Sequence, residues 1–596
     1  MKAISTQPFK VSKLFSDFEY VIPAFQRPYS WIDKDQCQTL WEDLTEFYDE
    51  NQDSDSKWFL GSIVLYKNSY ISSATKNEEV RYVVDGQQRL TTLFILLAVL
   101  KNKFGTYKGL QNILSPKDEL TDNLKDYARI RSDVPEDAKD AEMLYRFASE
   151  NDFVADGKQM NKFVCNFEFF REKVNGWIGA VDLREKNPRL YKEGFLKFIL
   201  NRVELLCIEC DDEEDAFRLF EVVNDRGMEL SPVQVIKPSM MRGMNEDDKR
   251  EFLEDWGRWT DAGESKEDNG PLVSFLFQVL KEIRSVKAKG NPDYQKTSLS
   301  KFFVKGELNN VQADINKLYA IHKWSMCVPD SELYVLKMIL DQVQSKTYKT
   351  ALFAFLYNVG KLNSKTGEFT LSAVNQKGAI KFCRDLVRFL YGLSLVGKTS
   401  RDYIRKPCYD QVKWVFDRKS DYKLVLAKDD LKKIEDRLNA NFEEENCYQL
   451  GLGTGLMLLA SYLYACKGKG RMDKLAALLR KGFEREHICP KKSGAAWVEN
   501  WDKDVHEKLV NSIGNLIPLE KEINLRVQNN VFKLKRDGED VHKTFRDQQK
   551  EAVRYRDSLS PEAREYLTKY DTWTPENVRE FAKKKCNLIL KFLKDD

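Results

Sequence analysis

The stretch Tyr82–Leu93 constrains the fold of this chain more than any other part of its sequence. It begins with a β-branched apolar run, breaks at Asp85-Gly86, and continues as a helical pattern from Leu90 to about Leu100. Such a run, an Asp-Gly break and a helical period in succession are typical of a strand, a tight turn and a helix. The sequence therefore predicts a strand–turn–helix corner around which an α/β unit is built.

The residues at this corner have the chemistry of a phosphate site. Gln87, Gln88 and Arg89 lie where the helix begins, and free backbone N–H groups with the positive end of the helix dipole favour phosphate there. Gly86 lets a ligand approach the backbone, and the guanidinium of Arg89 can donate two hydrogen bonds to one phosphate. Asp85 can hold a divalent metal or orient a water. The residues equally allow a polar corner whose amides only satisfy the backbone.

A second polar segment, Ile22–Trp31, is interrupted by two prolines and is therefore expected to be an extended loop. Arg27, Tyr29 and Trp31 place a guanidinium beside two aromatic rings, a combination that can bind a phosphate and stack on a base. A proline-fixed loop packed by its own aromatic rings is the alternative. Ser30 precedes a helical stretch that ends near Tyr48.

The hydrophobic pattern of the rest of the chain predicts further strands and helices. Strands are expected at Trp58–Tyr66, Glu79–Val84 and Val203–Cys210, a mainly helical region at residues 105–200, and amphipathic helices at Leu333–Gln344 and Ala379–Tyr391.

The segment Asn224–Pro232 is predicted to connect two helices. Gly227 is a helix stop and Ser231-Pro232 a helix start. Asn224 and Arg226 then lie on the connecting loop, where they face the Asp85 turn or only cap a helix end. Pro238 is expected to disturb the helix that follows.

Gly392–Thr399 satisfies the pattern of a phosphate-binding P-loop. That loop requires a strand before it and a helix after it. Because a helical pattern precedes this segment and its spacer residues are bulky and apolar, we interpret it as the end of a helix, and its role is left open.

Length and composition exclude several classes of protein. A chain of 596 residues is long enough for two to four domains, and it has no apolar run of membrane length and no signal peptide in Met1–Lys10. Only Cys207 and Cys210 of the eleven cysteines form a C-x-x-C pair, too few ligands for structural zinc. Reduced thiols in a cytoplasmic protein are expected. From residue 400 onward there are 40 Lys and Arg against 33 Asp and Glu, an excess compatible with nucleic acid.

A second group of chemically capable residues lies near the C-terminus. Glu486-His487 precedes Pro490, Asn515 follows 28 residues after the histidine, and Asn524 comes next. A neutral imidazole can accept a proton from water, while a carboxylate and amide oxygens can hold one hard ion such as Mg²⁺. Phosphodiester hydrolysis uses both. A lone histidine is, however, more often structural. Further residues complete the pattern: Asn530, Phe532 and Lys535.

With both groups in view, the chain resembles the GmrSD-like family of type IV, modification-dependent restriction endonucleases. The N-terminal resemblance runs from about Phe9 to Lys237 and includes the segments 25–31, 85–93 and 224–237. It implies a ParB/sulfiredoxin-like domain whose Asp-Gly-Gln-Gln-Arg motif binds and hydrolyses nucleotide. The C-terminal resemblance, from about Arg480 to Lys535, implies an HNH, or ββα-metal, nuclease unit.

The resemblance implies a role for each matched residue. Asp85, Gly86, Gln87, Gln88 and Arg89 would form the nucleotide site. His487 would be the general base, Asn515 would orient it or hold the facing loop, and Asn524 would bind the metal with Glu486 as a second ligand. Candidates for sensing DNA or its modification are Arg27, Tyr29 and Trp31, and candidates for a second nucleotide-site loop are Asn224 and Arg226.

The predicted architecture is α+β, helix-rich and multidomain. Residues 1–240 would form the ParB/sulfiredoxin-like nucleotide-binding domain, 241–395 a helical connecting region, and 396–596 a helical domain that carries the HNH unit.

The predicted function is an NTP-dependent or NTP-regulated endonuclease or nickase of anti-phage defence. Expected cofactors are Mg²⁺ or another divalent metal and an NTP. Expected partners are DNA, modified in its preferred form, and no membrane; a homo-oligomer is left open. The alternatives are a nucleotide-gated DNA-binding protein with an inactive nuclease domain and an RNA-cutting, toxin-like nuclease.

Overall fold

The chain, seen in a computed structural model, divides into two compact units. Unit 1 comprises residues 1–274 and 298–309, and unit 2 comprises residues 275–297 and 310–596. The predicted boundaries near residues 240 and 395 stay predictions. The residues that the structure describes are 5–52, 54–67, 80–104, 108–115, 128–134, 138–150, 153–154, 161–211, 215–216, 219, 232–241, 244–261, 271–287, 299, 302–303, 310–363, 365–417, 424–440, 442, 453–492, 501–527, 529–537 and 554–594.

Unit 1 contains a six-stranded mixed sheet. Its strands are β1 (Ser5–Lys10), β2 (Glu19–Ile22), β3 (Trp58–Lys67), β4 (Val80–Asp85), β5 (Ile130–Ser132) and β6 (Val203–Cys210). Their order across the sheet is β1-β6-β3-β4-β2-β5. The pairs β6–β3, β4–β2 and β2–β5 are parallel, and β1–β6 and β3–β4 are antiparallel. The fold is therefore a helix-rich α+β fold with a mixed central sheet.

Helices surround this sheet, and one of them is buried along almost its entire length. The helices of unit 1 are α1 (Val11–Asp17), α2 (Gln38–Glu50), α3 (Gln87–Lys103), α4 (Lys108–Leu114), α5 (Ala138–Ser149), α6 (Lys162–Arg184), α7 (Pro188–Asn201), α8 (Pro232–Met241) and α9 (Glu246–Asp261), with a π-helical turn at Asp33–Cys37. In α3 the residues from Leu90 to Lys101 are all buried, because a helix that is apolar on every side is stable only inside a core.

The three strands predicted from the sequence are confirmed as β3, β4 and β6, and β3 and β4 pair as expected. The loop predicted at Ile22–Trp31 has no helix, and its first residue ends β2. The prediction at Pro238 is wrong, because α8 continues through this proline to Met241. This helix contacts α9 next to the proline, where the ammonium of Lys237 lies 5.6 Å from the centre of the Trp256 ring.

Unit 2 is mainly helical. It contains most of α10 (Pro271–Lys287) and the helices α11 (Val311–Met326), α12 (Ser331–Leu340), α13 (Tyr348–Val359), α14 (Ala373–Leu395), α15 (Arg401–Asp417), α16 (Lys428–Asn439), α17 (Gly453–Ala465), α18 (Arg471–Lys481), α19 (Lys503–Leu509), α20 (Lys521–Val527), α21 (Phe532–Asp537) and α22 (Pro575–Lys594). Two small hairpins pair β7 (Lys361–Leu362) with β8 (Phe369–Thr370) and β9 (Phe483–His487) with β10 (Leu516–Glu520). None of the helices in the described ranges combines the length and the apolar character that crossing a membrane requires.

The P-loop-like segment is the C-terminal end of α14. Gly397 has a φ of 75°, and the N–H of Lys398 donates to the carbonyl of Leu393, as in a Schellman helix end. The ammonium of Lys398 lies 2.8 Å from a carboxylate oxygen of Asp430. The lysine of the pattern is thus held in an ion pair, as the helix-end interpretation expects.

Candidate functional site

The predicted strand–turn–helix corner is formed by β4, Gly86 and α3. Gly86 has φ 87° and ψ 8°, a left-handed conformation, and immediately precedes the first residue of the helix. A Cβ atom at this position would lie 2.4 Å from Cγ2 of Ile63. Both the backbone conformation and the lack of space therefore require glycine here.

The proline-containing loop is fastened to this corner by two glutamine side chains. Oε1 of Gln88 accepts hydrogen bonds from the backbone N–H groups of Ser30 (2.8 Å) and Trp31 (3.2 Å). Nε2 of Gln26 donates to the carbonyl of Val84 at 2.6 Å. Gln88 is buried and is committed to positioning the loop, so that the loop and the corner form one structural element.

The aromatic residues of the loop differ in their access to a ligand. Tyr29 is 3% exposed, and its hydroxyl lies 2.6 Å from Oγ1 of Thr92 and accepts a hydrogen bond from Nδ2 of Asn166. Its burial raises its pKa well above the ordinary value. A ring enclosed in this way has no free face for a base. Trp31 and Arg27 are only half-buried, and they are the members of the predicted sensing set that face solvent.

Charged and polar groups converge around Asp85. Burial raises the pKa of this carboxyl, while the N–H of Gly86 and the positive charges of Arg89 and Arg27 oppose the rise. The guanidinium of Arg89 donates to the carbonyl of Ser62 at 2.6 Å, which fixes its position. One carboxyl, that of Asp85, and two guanidinium groups, of Arg89 on α3 and of Arg27 in the loop, therefore interact at this corner.

Gln87, the neighbour of Gln88 on α3, has a different environment. It is 4% exposed, and among the described residues its Oε1 has no hydrogen-bond partner. A buried acceptor without a partner is costly and uncommon in a native protein.

The candidate loop residues Asn224 and Arg226 lie outside the described residues.

The second candidate site is built on the β9–β10 hairpin. In its antiparallel register His487 is opposite Leu516, and Glu486 is opposite Ile517. The short helix α20 follows β10 directly and packs against both strands. His487 is the last residue of β9, so that its side chain lies where the strand gives way to the Ile488–Pro490 loop.

Asn515 holds this loop. Its Oδ1 accepts from the N–H of Cys489, and its Nδ2 donates to the carbonyls of Cys489 and Val510, each within 2.9 Å. The backbone carbonyl of Asn515 also accepts from the N–H of Ile488. The residue is completely buried. Of the two roles that the resemblance implied for Asn515, the geometry therefore corresponds to holding the loop.

Asn511 contacts the side chain of His487, with its Oδ1 3.2 Å from Nε2 of the imidazole. The pKa of His487 is lowered to about 4, mainly by burial and also by the nearby positive charges of Lys491, Arg485 and Lys535, while the bond to Asn511 opposes the change. The imidazole is consequently neutral at pH 7, the form in which a histidine can accept a proton.

Glu486 is not open to a ligand. Its Oε1 lies 2.6 Å from Nζ of Lys535 and accepts a hydrogen bond from the Tyr555 hydroxyl at 2.6 Å. Burial raises the pKa of Glu486, and the ammonium of Lys535 is the main opposing influence. Lys535 also donates to the carbonyl of His487 at 3.0 Å. This ion pair positions the end of β9 directly before the loop.

Asn524, on α20, meets a carboxylate that the sequence analysis missed. Its Nδ2 donates to Oε2 of Glu484 at 2.6 Å, and both residues are half-exposed. Glu484 and Glu486 are two residues apart on β9 and therefore lie on the same face of the strand. This spacing could have identified Glu484 from the sequence. Asn511 had no comparable signal, because it lies 24 residues from His487 in the sequence and meets it only in the folded chain.

The described part of the chain has no group of three or more histidine, cysteine, aspartate or glutamate side chains that could hold an ion. Glu486 does not fit a metal, because its charge is already neutralised. Glu484 is the accessible carboxylate beside Asn524, and one or two carboxylates can hold Mg²⁺ when water and substrate phosphate supply its other ligands.

Comparison with known families gives two matches. Residues 11–241 match the N-terminal domain of GmrSD restriction endonucleases, and residues 432–584 match the C-terminal domain of GmrSD restriction endonucleases. Each match contains one of the two candidate sites, and together they cover more than half of the chain. A search of curated proteins finds no match.

Proposed function

The chain belongs to the GmrSD family of restriction endonucleases, and we propose that it cuts DNA at His487 under the control of a nucleotide bound at the Asp85–Arg89 corner. Membership of this family makes it a nuclease with DNA as its substrate. The nucleotide, the preference for modified DNA and the chemical mechanism are the parts that we propose.

The nuclease part of the proposal depends on one observation: the imidazole of His487 is neutral and is held at the end of a rigid hairpin. The order of β9, β10 and α20 resembles a ββα-metal unit. Asn515 fixes the loop after the histidine, and Asn511 contacts the ring. A general base must be unprotonated at the working pH and must be positioned by its neighbours, and His487 meets both conditions.

In the proposed reaction His487 takes a proton from a water molecule as the water oxygen attacks the phosphorus of a DNA phosphodiester. A new P–O bond forms, the bond to the leaving sugar oxygen breaks in line with it, and that oxygen receives a proton from solvent. Glu484 and Asn524 would hold a divalent ion, which would neutralise charge on the phosphate. Glu486 has a structural role in this scheme, because Lys535 already occupies its carboxylate.

The nucleotide part depends on the corner at Gly86. The first turn of α3 has backbone N–H groups without helical partners, and Arg89 and Arg27 add positive charge beside them. The Oε1 of Gln87, which has no partner in the described part of the chain, is an acceptor that a nucleotide base or sugar hydroxyl could satisfy. These features support a phosphate-bearing ligand whose base or sugar donates one hydrogen bond.

Recognition of DNA modification is proposed for the half-buried residues of the adjoining loop, Arg27 and Trp31. Because Gln88 connects this loop to the first turn of α3, a ligand at the corner would change the position of the loop through one side chain. Tyr29 would contribute only packing, since its hydroxyl and ring are enclosed.

Plasmid cleavage tests the proposal. Purified full-length protein with Mg²⁺ is incubated with modified or unmodified plasmid and each of the four NTPs in turn. We expect cleavage with at least one NTP, loss of cleavage in His487→Ala with NTP hydrolysis retained, and loss of NTP hydrolysis in Arg89→Ala. Cleavage by purified His487→Ala would reject the nuclease site.

The same experiment, extended by an RNA substrate, separates the alternative functions. Binding of DNA without cleavage by the wild-type protein under all these conditions would favour a nucleotide-gated DNA-binding protein. Cleavage of RNA in preference to both plasmids would favour an RNA-cutting nuclease. The histidine at position 322, on α11, provides a matched control, because His322→Ala removes an imidazole from a helix outside the hairpin.

A further inference from the structure

The turn that carries Asn515 lies directly against the helix α22. It is a single 3-10 turn, Ile513–Asn515, immediately before β10. A Cβ atom on Gly514 would lie 2.0 Å from the carbonyl oxygen of Val578 and 2.8 Å from the backbone nitrogen of Ala582, both on α22. Only glycine fits against a backbone at this distance, so the turn and the helix are in backbone contact.

One buried lysine of the same helix holds the backbone on both sides of Asn515. The side chain of Lys585 is 2% exposed. Its ammonium donates to the carbonyl of Ile513 at 3.2 Å and to the carbonyl of Leu516 at 2.7 Å. Because Asn515 lies between these two residues in the chain, a single side chain of α22 fixes the turn before and after it.

The charge of this ammonium is balanced inside the protein. A carboxylate oxygen of Glu562, which is completely buried, lies 3.2 Å from Nζ of Lys585. The other carboxylate oxygen accepts a hydrogen bond from the hydroxyl of Ser461 on α17. Apolar side chains of similar volume are often as stabilising as a buried ion pair, or more so. Stability alone therefore does not account for this pair, whereas its directed bonds to two carbonyls define a backbone position.

The same arrangement occurs on the other strand of the hairpin. His487 and Leu516 are opposite each other, and the residue after His487 donates its N–H to the carbonyl of the residue before Leu516. By the alternation of an antiparallel ladder, His487 and Leu516 are then a non-hydrogen-bonded pair whose carbonyls point to the outside of the hairpin. The ammonium of Lys535 binds the first of these carbonyls, and that of Lys585 binds the second.

The path from Lys585 to the catalytic candidate is short. Leu516 is the neighbour of Asn515, whose side chain bonds both backbone groups of Cys489 in the loop after His487. A shift of the turn would consequently move this loop. We propose that Lys585 is a positioning residue for cleavage, which acts through Asn515 and has no contact with the substrate. This inference rests on the proposed role of His487 as the general base.

The test compares two changes in the full-length protein. Lys585→Met removes the ammonium and keeps an unbranched side chain, and it is combined with Glu562→Gln so that no unpaired charge remains in the core. The matched control is Phe592→Ala, which removes a buried ring two turns further along α22. That ring lies 5.2 Å from the guanidinium of Arg388 on α14. The control therefore weakens the packing of the same helix at another contact.

Cleavage of a plasmid that the wild-type protein cuts is measured at a temperature at which circular dichroism shows every variant folded. In the double variant we expect kcat to fall by about tenfold or more, since a misplacement of about 1 Å can cost about a hundredfold. Its KM should stay within about twofold of wild type, because the binding surface is unchanged. Phe592→Ala should keep both constants within about twofold.

Hydrogen–deuterium exchange of a peptide that covers residues 483–490 measures the order of the loop without any substrate. Exchange in this peptide should become faster in the Lys585→Met/Glu562→Gln protein, because local opening of the loop no longer breaks the bonds that hold the turn. In Phe592→Ala it should stay at the wild-type level.

Three results would overturn the inference. They are an unchanged kcat in the folded double variant, an equal fall of kcat in Phe592→Ala, and a rise of KM without a fall of kcat. His487→Ala, assayed beside them, keeps the two proposals apart. If it is inactive while the double variant is fully active, His487 remains the base and Lys585 is not a positioning residue. If His487→Ala still cuts, the nuclease site is wrong, and the exchange measurement alone decides whether Lys585 holds the loop.

Discussion

The ammonium of Lys535 lies 2.6 Å from Oε1 of Glu486, and both side chains are almost completely shielded from water. Lys535 lies on α21 and Glu486 on β9, so that this ion pair connects the hairpin to a helix far along the chain. The same ammonium donates to the carbonyl of His487. The position of the catalytic candidate is therefore coupled to an ion pair that does not itself contact the imidazole ring.

Lys535→Met is expected to destabilise unit 2 strongly. It leaves the Glu486 carboxylate buried without its partner, and breaking a buried pair from one side costs about 3–5 kcal/mol. Thermal unfolding followed by calorimetry measures the loss. Glu486→Gln combined with Lys535→Met should recover most of it. Lys533→Met changes an exposed lysine of the same helix and should have no effect; equal losses in both variants would contradict the assignment.

Asn515→Ala is expected to lower stability and cleavage together. The substitution removes the partners of the N–H and carbonyl of Cys489 and of the carbonyl of Val510. Each buried backbone group left without a bond costs about 1–3 kcal/mol. The melting temperature and the cleavage rate should both fall. A variant with unchanged stability and no cleavage would instead make Asn515 a residue that contacts substrate.

The pH dependence of cleavage should reflect the lowered pKa of His487. An imidazole with a pKa of about 4 is neutral, and able to act as a base, at every pH well above that value. The rate under kcat/KM conditions should therefore stay level from pH 7 down through pH 6.5, the ordinary pKa of histidine, and fall only as pH approaches 4. Circular dichroism at each pH controls for unfolding. A half-maximal rate near pH 6.5 would contradict this environment.

Much of this arrangement could be predicted from the sequence because it is local. The β4–Gly86–α3 corner and strands β3 and β6 follow from short apolar runs and one Asp-Gly break, and all appear where expected. Of the strands that were missed, β2 and β5 are short, and the pairing partners of β1, β2 and β5 all lie far away in the sequence. A short segment lacks a periodic signal of its own and becomes a strand through its neighbours.

Site contacts were harder to predict for a related reason. The pairing of His487 with Asn511, of Glu486 with Lys535 and of Asn524 with Glu484 depends on how separate elements pack. The sequence indicated which residue types carry the chemistry. It did not indicate that Tyr29 would be enclosed by Thr92 and Asn166, because burial of a tyrosine is a tertiary property.

Arg27→Ala and Tyr29→Phe should separate recognition from packing in the proline-containing loop. Arg27 is half-buried and adds positive charge near Asp85, so its removal should reduce the preference for modified over unmodified plasmid with little effect on stability. Tyr29→Phe removes a buried hydroxyl with two partners and should cost about 1 kcal/mol without changing the preference. The reverse pattern in cleavage and melting assays would contradict the proposed division of roles.

The adjacent glutamines at the start of α3 provide the sharpest test of the nucleotide site. Oε1 of Gln88 accepts from two backbone N–H groups of the loop, whereas Oε1 of Gln87 is buried without a partner among the described residues. Replacing a satisfied buried group is costly, and replacing an unsatisfied one is not. Gln88→Met should therefore lower the melting temperature, while Gln87→Met should leave it unchanged or raise it.

Nucleotide binding should show a different pattern in the same two variants. If Gln87 is retained for a ligand, Gln87→Met should weaken nucleotide binding by about tenfold, the value of one hydrogen bond of about 1.4 kcal/mol. Gln88→Met should weaken nucleotide binding less, and only through displacement of the proline-containing loop. Calorimetric titration at a temperature where both variants are folded measures the affinities. Full nucleotide affinity in Gln87→Met would mean that this amide does not contact the nucleotide, and the corner would then bind phosphate through Arg89 and the backbone alone.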